Sequence, residues 1–369
     1  MTYQQLVASL GVVACSLISN PSIADVTVAI AGPMDGQFGA FGAQMQAGAA
    51  QAVADINAAG GVRGEKLVLE VADDGCNDEK AVAVANQLIG KGAVFVAGHF
   101  CFGASIAASA VYADAGIIQI SPATTLPRFT DGGPDTGIFR LAPRDDAQAL
   151  VAGQLLASEF ASSRIAILHD KTAYGKGLTD AVKAVINDRG VTESIALGFD
   201  AGKDNYRNLV TQLSLENVDV VYLGGYHPEA GLIGLEMARQ GLDAQLIGGD
   251  ALMTEEFWSV AGPAGEGTLL TYPEIPREVE ASKDVVADLE EADLSADRYA
   301  LTTYAALQAW AQAMEQADNS TFEAVAGSLE NGAFETVLGT VRFDENGDAN
   351  VPAYVWYEWQ NGAPQPRSR

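Results

Sequence analysis

The chain has 369 residues and carries 21 Lys+Arg against 48 Asp+Glu, a formal net charge of -27 at pH 7. Acidity on that scale excludes nucleic acid and anionic membrane surfaces as partners, since both repel a protein of the same sign. With 48% hydrophobic residues over this length, the chain exceeds what one ordinary core holds, so two lobes are expected.

No charged side chain precedes Asp25, and the first basic one is Arg63. An apolar stretch from Leu6 to Ile18 is too short for a membrane span, which needs roughly 20 apolar residues. It runs into Ser22-Ile23-Ala24, small residues at the positions a signal peptidase reads. Residues 1–24 therefore read as a secretory signal peptide cleaved before Asp25, although Met1 to Gln5 contain no basic side chain. The alternative is a lipoprotein box, Val12-Val13-Ala14-Cys15, in which Cys15 would be lipidated.

Beyond Asp25, strand-like runs alternate with helical ones. The strands read as Val26–Ala31, Leu67–Ala72, Val94–Gly98, Ile117–Ile120, Arg164–His169, Ser194–Gly198, Val218–Gly224 and Gln245–Gly248. The helices read as Ala40–Ala59, Asp78–Gly90, Ala104–Ala115, Asp145–Ala161, Gly175–Arg189, Asp204–Glu216 and Pro228–Gln240. This alternation predicts an α/β fold whose lobes are doubly wound parallel sheets with right-handed crossovers.

Pro and Gly punctuation breaks the pattern at Leu141–Arg144, at Thr271–Glu274 and after Asp344–Asp348. Three breaks imply three hinge crossovers between discontinuous lobes: residues 25–142 with 273–348, and 143–272 with 349–369. Asp344, Asn346 and Asp348 are spaced like calcium ligands, but the run lacks the loop's sixth-position Gly and twelfth-position Glu. It reads as a polar turn, and no metal site is expected.

Outside the leader the cysteines are Cys76 and Cys101, each just past a predicted strand. An even pair in an exported chain is expected to form a disulfide; two buried thiols are the alternative. Ligands of parallel sheets bind beyond the carboxyl ends of the strands, so the loops around these cysteines are candidate site loops. His99, His169 and His227 lie in no Gly-x-Ser-x-Gly elbow, His-Glu-x-x-His motif or phosphate loop, and Gly32-Pro33-Met34-Asp35-Gly36 is no dinucleotide fingerprint. Neither an enzyme nor a cofactor is expected.

Several runs together resemble the type I periplasmic binding proteins of the leucine/isoleucine/valine-binding group, the receptors of branched-chain amino acid ABC transporters. They are Ala52-Val53-Ala54-Asp55-Ile56-Asn57-Ala58-Ala59-Gly60-Gly61, Ala81-Val82-Ala83-Val84-Ala85-Asn86, His169-Asp170-Lys171 with Tyr174-Gly175, Gly224-Gly225-Tyr226-His227-Pro228-Glu229 and Thr302-Thr303-Tyr304-Ala305-Ala306-Leu307-Gln308. The resemblance implies a Cys76–Cys101 disulfide, lobes that close by hinge bending, and an amino acid held between them. It also implies a periplasmic monomer that delivers its ligand to a membrane permease.

The residues that the resemblance brings to the site follow the strand ends. The position of Ala123 offers a carbonyl to the ligand's ammonium, and Thr125, beside Thr124, offers a hydroxyl and an amide to ammonium and carboxylate. From the residue alone, Thr125 reads as a turn or capping hydroxyl. Asp250 stands where the family has an acid for the ammonium, often Glu; the shorter side chain loses roughly 1.5 Å of reach. Tyr174 and Tyr226 match aromatics that cover the ligand, while Phe41 and Tyr299 match a first-lobe aromatic and a hinge aromatic; any of these can equally be core.

Two positions depart from the family. Phe100 replaces a smaller aliphatic and narrows the side-chain pocket. Phe102, directly after Cys101, replaces a Ser whose hydroxyl meets the carboxylate, a loss of about 1.5–3 kcal/mol if nothing replaces it. The amides of Phe102 and Gly103 at a helix start remain available to an anion. A smaller amino acid, a small amide, a carboxylate or a non-α amino acid thus becomes the alternative ligand. A ligand-sensing module is the alternative role; with no output segment after Gln365-Pro366-Arg367-Ser368-Arg369, the free receptor is expected.

The acid excess fits adaptation to salt, because counterions screen repulsion among like charges. The thermal unfolding midpoint is expected to rise steeply as salt is added. A midpoint indifferent to salt would remove this reading.

Overall fold

The computed structural model describes residues 25–133, 136–273, 280–352 and 354–367. Residues 1–24, with the expected leader and Cys15, lie outside them. The first sheet begins with β1 (Val26–Gly32), buried from Val28 onward, followed by α1 (Gly39–Ala58), β2 (Leu67–Asp73) and α2 (Asp78–Gly90). Then come β3 (Phe95–Gly98), α3 (Phe102–Ala115), β4 (Ile118–Ser121) and β5 (Ile138–Arg140). The strands pair in the order β2-β1-β3-β4-β5, all parallel. The edge strand β2 exposes Val68 and Val71, whereas β3 and β4 are buried throughout, as the continuous apolar runs of inner parallel strands require.

The chain then passes to α4 (Asp145–Glu159), β6 (Ile165–His169), α5 (Ala173–Asp188), β7 (Ile195–Gly198) and α6 (Arg207–Leu215). After them come β8 (Val220–Gly224), α7 (His227–Gln240), β9 (Gln245–Gly248), α8 (Glu255–Ala261) and β10 (Leu269–Pro273). It returns to the first sheet with α9 (Lys283–Glu291), α10 (Arg298–Gln316), α11 (Phe322–Asn331) and the small hairpin β11 (Phe334–Thr336) and β12 (Gly339–Val341). The last strands, β13 (Tyr354–Gln360) and β14 (Ala363–Pro366), complete the second sheet in the order β14-β13-β10-β9-β8-β6-β7. Among the described residues no helix is long and apolar enough to cross a membrane.

Apart from β5, which the sequence pattern did not contain and which follows β4 without an intervening α-helix, the β/α alternation up to β9 follows that pattern. The β13–β14 hairpin is an addition to it: these strands pair antiparallel onto β10 and extend an otherwise parallel sheet. Its signal was present, since Asn361-Gly362, both at positive φ, is the dipeptide that tight hairpins select. α10 was likewise unassigned. It is buried over most of its surface, with only a narrow polar stripe of Gln308, Gln312, Glu315 and Gln316. It packs beside α1 against the first sheet, and α1 approaches so closely that a Cβ on Gly48 would stand 2.0 Å from the Ala300 carbonyl oxygen. The Ala-rich face of α1 makes that contact possible.

Where the chain crosses between the sheets, one carboxylate ties two connections together. Asp348 Oδ1 accepts from Arg140 Nε (2.8 Å) and Thr130 Oγ1 (2.7 Å), and its Oδ2 accepts from Arg144 Nη1 (2.9 Å). Burial alone would raise the Asp348 carboxyl, but Arg140 beside it, with Arg144 and Thr130, holds it below its usual value. The backbone amides of Asn346 and Asp348 donate to Asp344 Oδ1 at 2.9 and 3.0 Å, so the run forms a self-satisfied polar turn.

Cys76 and Cys101 form a disulfide across a sequence separation of 25, tying the loop after β2 to the start of α3. Next to it, buried Asp74 accepts from the Cys76 amide at 2.7 Å and pairs with His99 Nδ1 at 2.6 Å, while His99 Nε2 meets the Tyr112 hydroxyl at 3.1 Å. Replacing both cysteines (Cys76→Ser with Cys101→Ser) is expected to lower the unfolding free energy by about 3.5 kcal/mol on the chain-entropy account. Urea denaturation of the two forms measures the difference.

Candidate functional site

The loops that follow β3, β4, β6, β8 and β9 all issue from carboxyl ends of strands, and those ends face each other across the two sheets. They enclose a small cavity of about 10 Å³, room for about one water molecule, lined by Phe100, Phe102, Ala123, Thr125, Tyr174, Tyr226, Asp250, Ala251 and Tyr299. That is far below the roughly 300–1,000 Å³ of ordinary ligand pockets, because the aromatic rings nearly fill the cleft. The first sheet, with α10, contributes Phe100, Phe102, Ala123, Thr125 and Tyr299. The second contributes Tyr174, Tyr226, Asp250 and Ala251.

Aromatic rings form most of the wall and touch across the cleft. Phe102, at the first position of α3, meets Tyr174 edge to face at 5.1 Å between centroids. Tyr226, ahead of α7, packs on Tyr174 at 5.1 Å and on Phe38 of the opposite lobe at 4.6 Å. Phe100 lies between Tyr299 (4.9 Å) and Phe41 (4.7 Å). Such a wall excludes water and strengthens every polar contact inside it.

The polar groups gather around Asp250, which is 5% exposed. Its Oδ1 accepts from the Tyr174 hydroxyl at 2.9 Å and from Gln148 Nε2 at 3.3 Å; its Oδ2 accepts from Arg298 Nη1 at 2.7 Å. Gly249 makes this crowding possible, because a Cβ there would stand 2.5 Å from the Tyr174 hydroxyl. Burial, reinforced by Asp250, keeps the Tyr174 phenol well above its usual range, so it stays a donor. Thr125 Oγ1 and Asp145 Oδ1 share a 2.5 Å hydrogen bond, and the Asp145 amide donates to the Thr125 carbonyl at 2.8 Å. Fully buried, the Asp145 carboxyl is pushed up to about 8, by desolvation first and by the negative charge of Asp250.

This arrangement offers acceptors for a cationic group and a hydroxyl and helix start for an anionic one, inside an apolar enclosure. A family model of periplasmic binding proteins matches residues 25–363. The chain belongs to that family. A relative from Brucella suis, named Leu/Ile/Val-binding protein homolog 1, is 43% identical over 341 residues, covering 92% of this chain and 92% of the relative. An amino acid binding protein of Pseudomonas aeruginosa is 40% identical over 347 residues, 93% of this chain and 92% of that one. The crystal structure of an ABC transporter substrate-binding protein of Desulfitobacterium hafniense, complexed with Leu, aligns with a TM-score of 0.76 at 26% identity, covering 93% of this chain and 100% of that chain.

Within this periplasmic binding protein, eight of the residues singled out from sequence line the cavity: Phe100, Phe102, Ala123, Thr125, Tyr174, Tyr226, Asp250 and Tyr299. Four stand behind it. Phe41 buttresses Phe100 and Tyr299. Cys101 is engaged in the disulfide, with its Sγ 3.8 Å from the Tyr226 hydroxyl. Thr124 Oγ1 bonds Ser105 Oγ at 2.5 Å, and this positions the loop rather than facing the cavity. Gly103 faces α2 instead, where a Cβ would collide with the Asp78 carboxylate at 2.2 Å.

Sequence reasoning missed Ala251, Gln148, Asp145 and Arg298. Ala251 follows Asp250 directly and was within reach. Gln148 and Asp145 lie on α4, which packs against the second sheet beside Asp250, and Arg298 reaches Asp250 from α10 on the side of the first sheet; all three approaches are tertiary. Because its pKa is raised, Asp145 in the folded chain keeps a proton that the unfolded chain releases, so its contribution falls as pH rises from about 4 to about 8. Asp145→Asn is therefore expected to gain stability relative to the parent at pH 8 and to show a flatter midpoint between pH 5 and pH 8. Thermal denaturation at the two pH values checks this, and equal slopes would contradict it.

Proposed function

We propose that the chain is an extracytoplasmic solute receptor that binds a branched-chain or smaller aliphatic amino acid in the cleft and delivers it to an ABC transporter permease. Residues 1–24 would serve as the export signal, and transport would involve no chemistry on the ligand. One observation carries this reading. A buried acid from the second sheet, Asp250, faces Thr125 and Ala123 of the first across an aromatic enclosure. A desolvated ammonium needs such acceptors, since leaving its charge unpaired is costly. The relatives named above as Leu/Ile/Val-binding and amino acid binding point the same way.

Phe102 supports a second reading of the ligand. Its ring fills the region where the resemblance implies a carboxylate-binding hydroxyl, and its contact with Tyr174 shortens the space further. A smaller amino acid, a small amide or an amino acid with a differently placed carboxylate would suit that shape.

A thermal-shift screen of all amino acids with small amides and carboxylates distinguishes the two. Leucine, isoleucine or valine is expected to raise the midpoint, with about 2.7 kcal/mol of stabilisation at a hundredfold excess over Kd. Success of only smaller or non-α ligands would replace the first reading with the second. Asp250→Ala is expected to abolish binding of any ammonium-bearing ligand; retained affinity would overturn the assigned role of Asp250.

A further inference from the structure

We propose that Arg298 determines the net charge of the ligand: by cancelling Asp250 it restricts the cleft to net-neutral molecules and excludes both amines without a carboxylate and acids without an ammonium. The inference rests on reading the cavity as the ligand site.

Arg298 starts α10, on the side of the first sheet, and reaches Asp250 of the second at 2.7 Å. Both side chains are almost completely buried, at 4% and 5% exposure. The guanidinium is held over two rings, 5.1 Å from Tyr272 and 5.2 Å from Tyr299, so it is fixed in place rather than free to swing into solvent. Asp250 is the one Asp, Glu, Lys, Arg or His among the cavity-lining residues, and Asp145, the next carboxyl behind it, is pushed by burial to about 8 and is mostly protonated at neutral pH. The pair therefore leaves the site without net charge.

A net charge added to such a cleft would be buried without compensation, at an effective cost of several kcal/mol. A zwitterion adds none. A second observation points to the same ligand class. Arg298 Nη2, Gln148 Oε1 and Asp145 Oδ2 are all buried and have no hydrogen-bond partner among the described residues. None of the three residues lines the cavity; they stand behind its wall beside the ion pair, as polar capacity of both signs that the protein leaves unused. Arg298 thus sets a cation directly behind Asp250, a charge that Phe102 cannot provide.

The test uses isothermal calorimetry on the full chain after leader removal, at neutral pH. Its probes are leucine, 3-methylbutylamine (the same skeleton without the carboxylate) and 4-methylpentanoate (without the ammonium). The parent protein is expected to bind leucine at least a hundredfold more tightly than either ion. Arg298→Met should lose at least tenfold in leucine affinity and gain at least tenfold for the amine, while Arg298→Lys keeps the parent pattern. The double variant Arg298→Met with Asp250→Asn also lacks the ammonium acceptor and should bind neither leucine nor the amine; the discriminating readout is the gain for the amine in Arg298→Met alone, which a merely structural role for Arg298 does not predict. Circular dichroism verifies that each variant folds, and the Lys variant carries the test if Met is not tolerated: leucine preferred over both ions by the Lys form supports the charge rule, and acceptance of either ion overturns it. Binding of the amine by the parent within tenfold of leucine overturns the proposal, as does unchanged discrimination in Arg298→Met. If the parent takes no amino acid, the ligand reading fails separately. The charge rule is then read from shape-matched amines, carboxylates and neutral amides: neutral amides alone support it, an accepted ion overturns it, and a parent that binds none of them overturns both.

Discussion

Among the described residues, the ion pair between Asp250, after the second sheet's β9, and Arg298, at the start of α10 beside the first sheet, is the charged contact at the centre of the cleft, and much of the surrounding architecture serves to hold it. Gly249 lets the Tyr174 hydroxyl approach the carboxylate, Gln148 reaches it from α4, and the Tyr272 and Tyr299 rings fix the guanidinium. A buried pair is weak evidence for stability, because desolvation offsets its attraction. Its value here lies in geometry. Each partner sits on a different lobe, so the pair is complete only when the lobes are together, and the aromatic contacts Phe102–Tyr174 and Phe38–Tyr226 close over it in the same arrangement.

A second charged cluster lies where the chain crosses between the sheets. Asp348 joins Arg140, at the end of β5, to Arg144, at the start of α4. The polar turn that resembles a cation loop thus uses its last carboxylate to clamp guanidinium groups. The connections between the sheets are thereby tied to one another. The disulfide and the Asp74–His99–Tyr112 chain do the same for the loop that presents Phe100 and Phe102.

Most of the fold was legible because parallel strands buried on both faces leave unbroken apolar runs, such as Phe95–Gly98 and Val220–Gly224, between helices of ordinary length. What escaped was of two kinds. The β13–β14 hairpin carried a readable Asn361-Gly362 turn that the β/α rhythm overshadowed. α10 carried only a narrow polar stripe, Gln308, Gln312 and Glu315, since it is enclosed on most sides. In the site, residues at strand ends were legible, because the topology sends them to the rim. Gly103 and Thr124 were adjacent in sequence to lining residues yet face the other way, toward Asp78 and Ser105, because neighbouring positions along a backbone, at the start of α3 and in the loop after β4, point in different directions.

Sequence alone determined the class of molecule: alternating strands and helices, a cysteine pair at two strand ends, and the acid and aromatic residues that reach the rim. Each of these is local, a matter of period, spacing or residue type. The tertiary structure decided the electrostatics of the cleft. Arg298 lies 48 residues from Asp250 in the chain and Asp145 lies 105 residues before it, and the three meet only through the packing of the two sheets and their helices. Charge balance in a buried cleft depends on which groups share the low-dielectric space, and no local pattern in the chain records that.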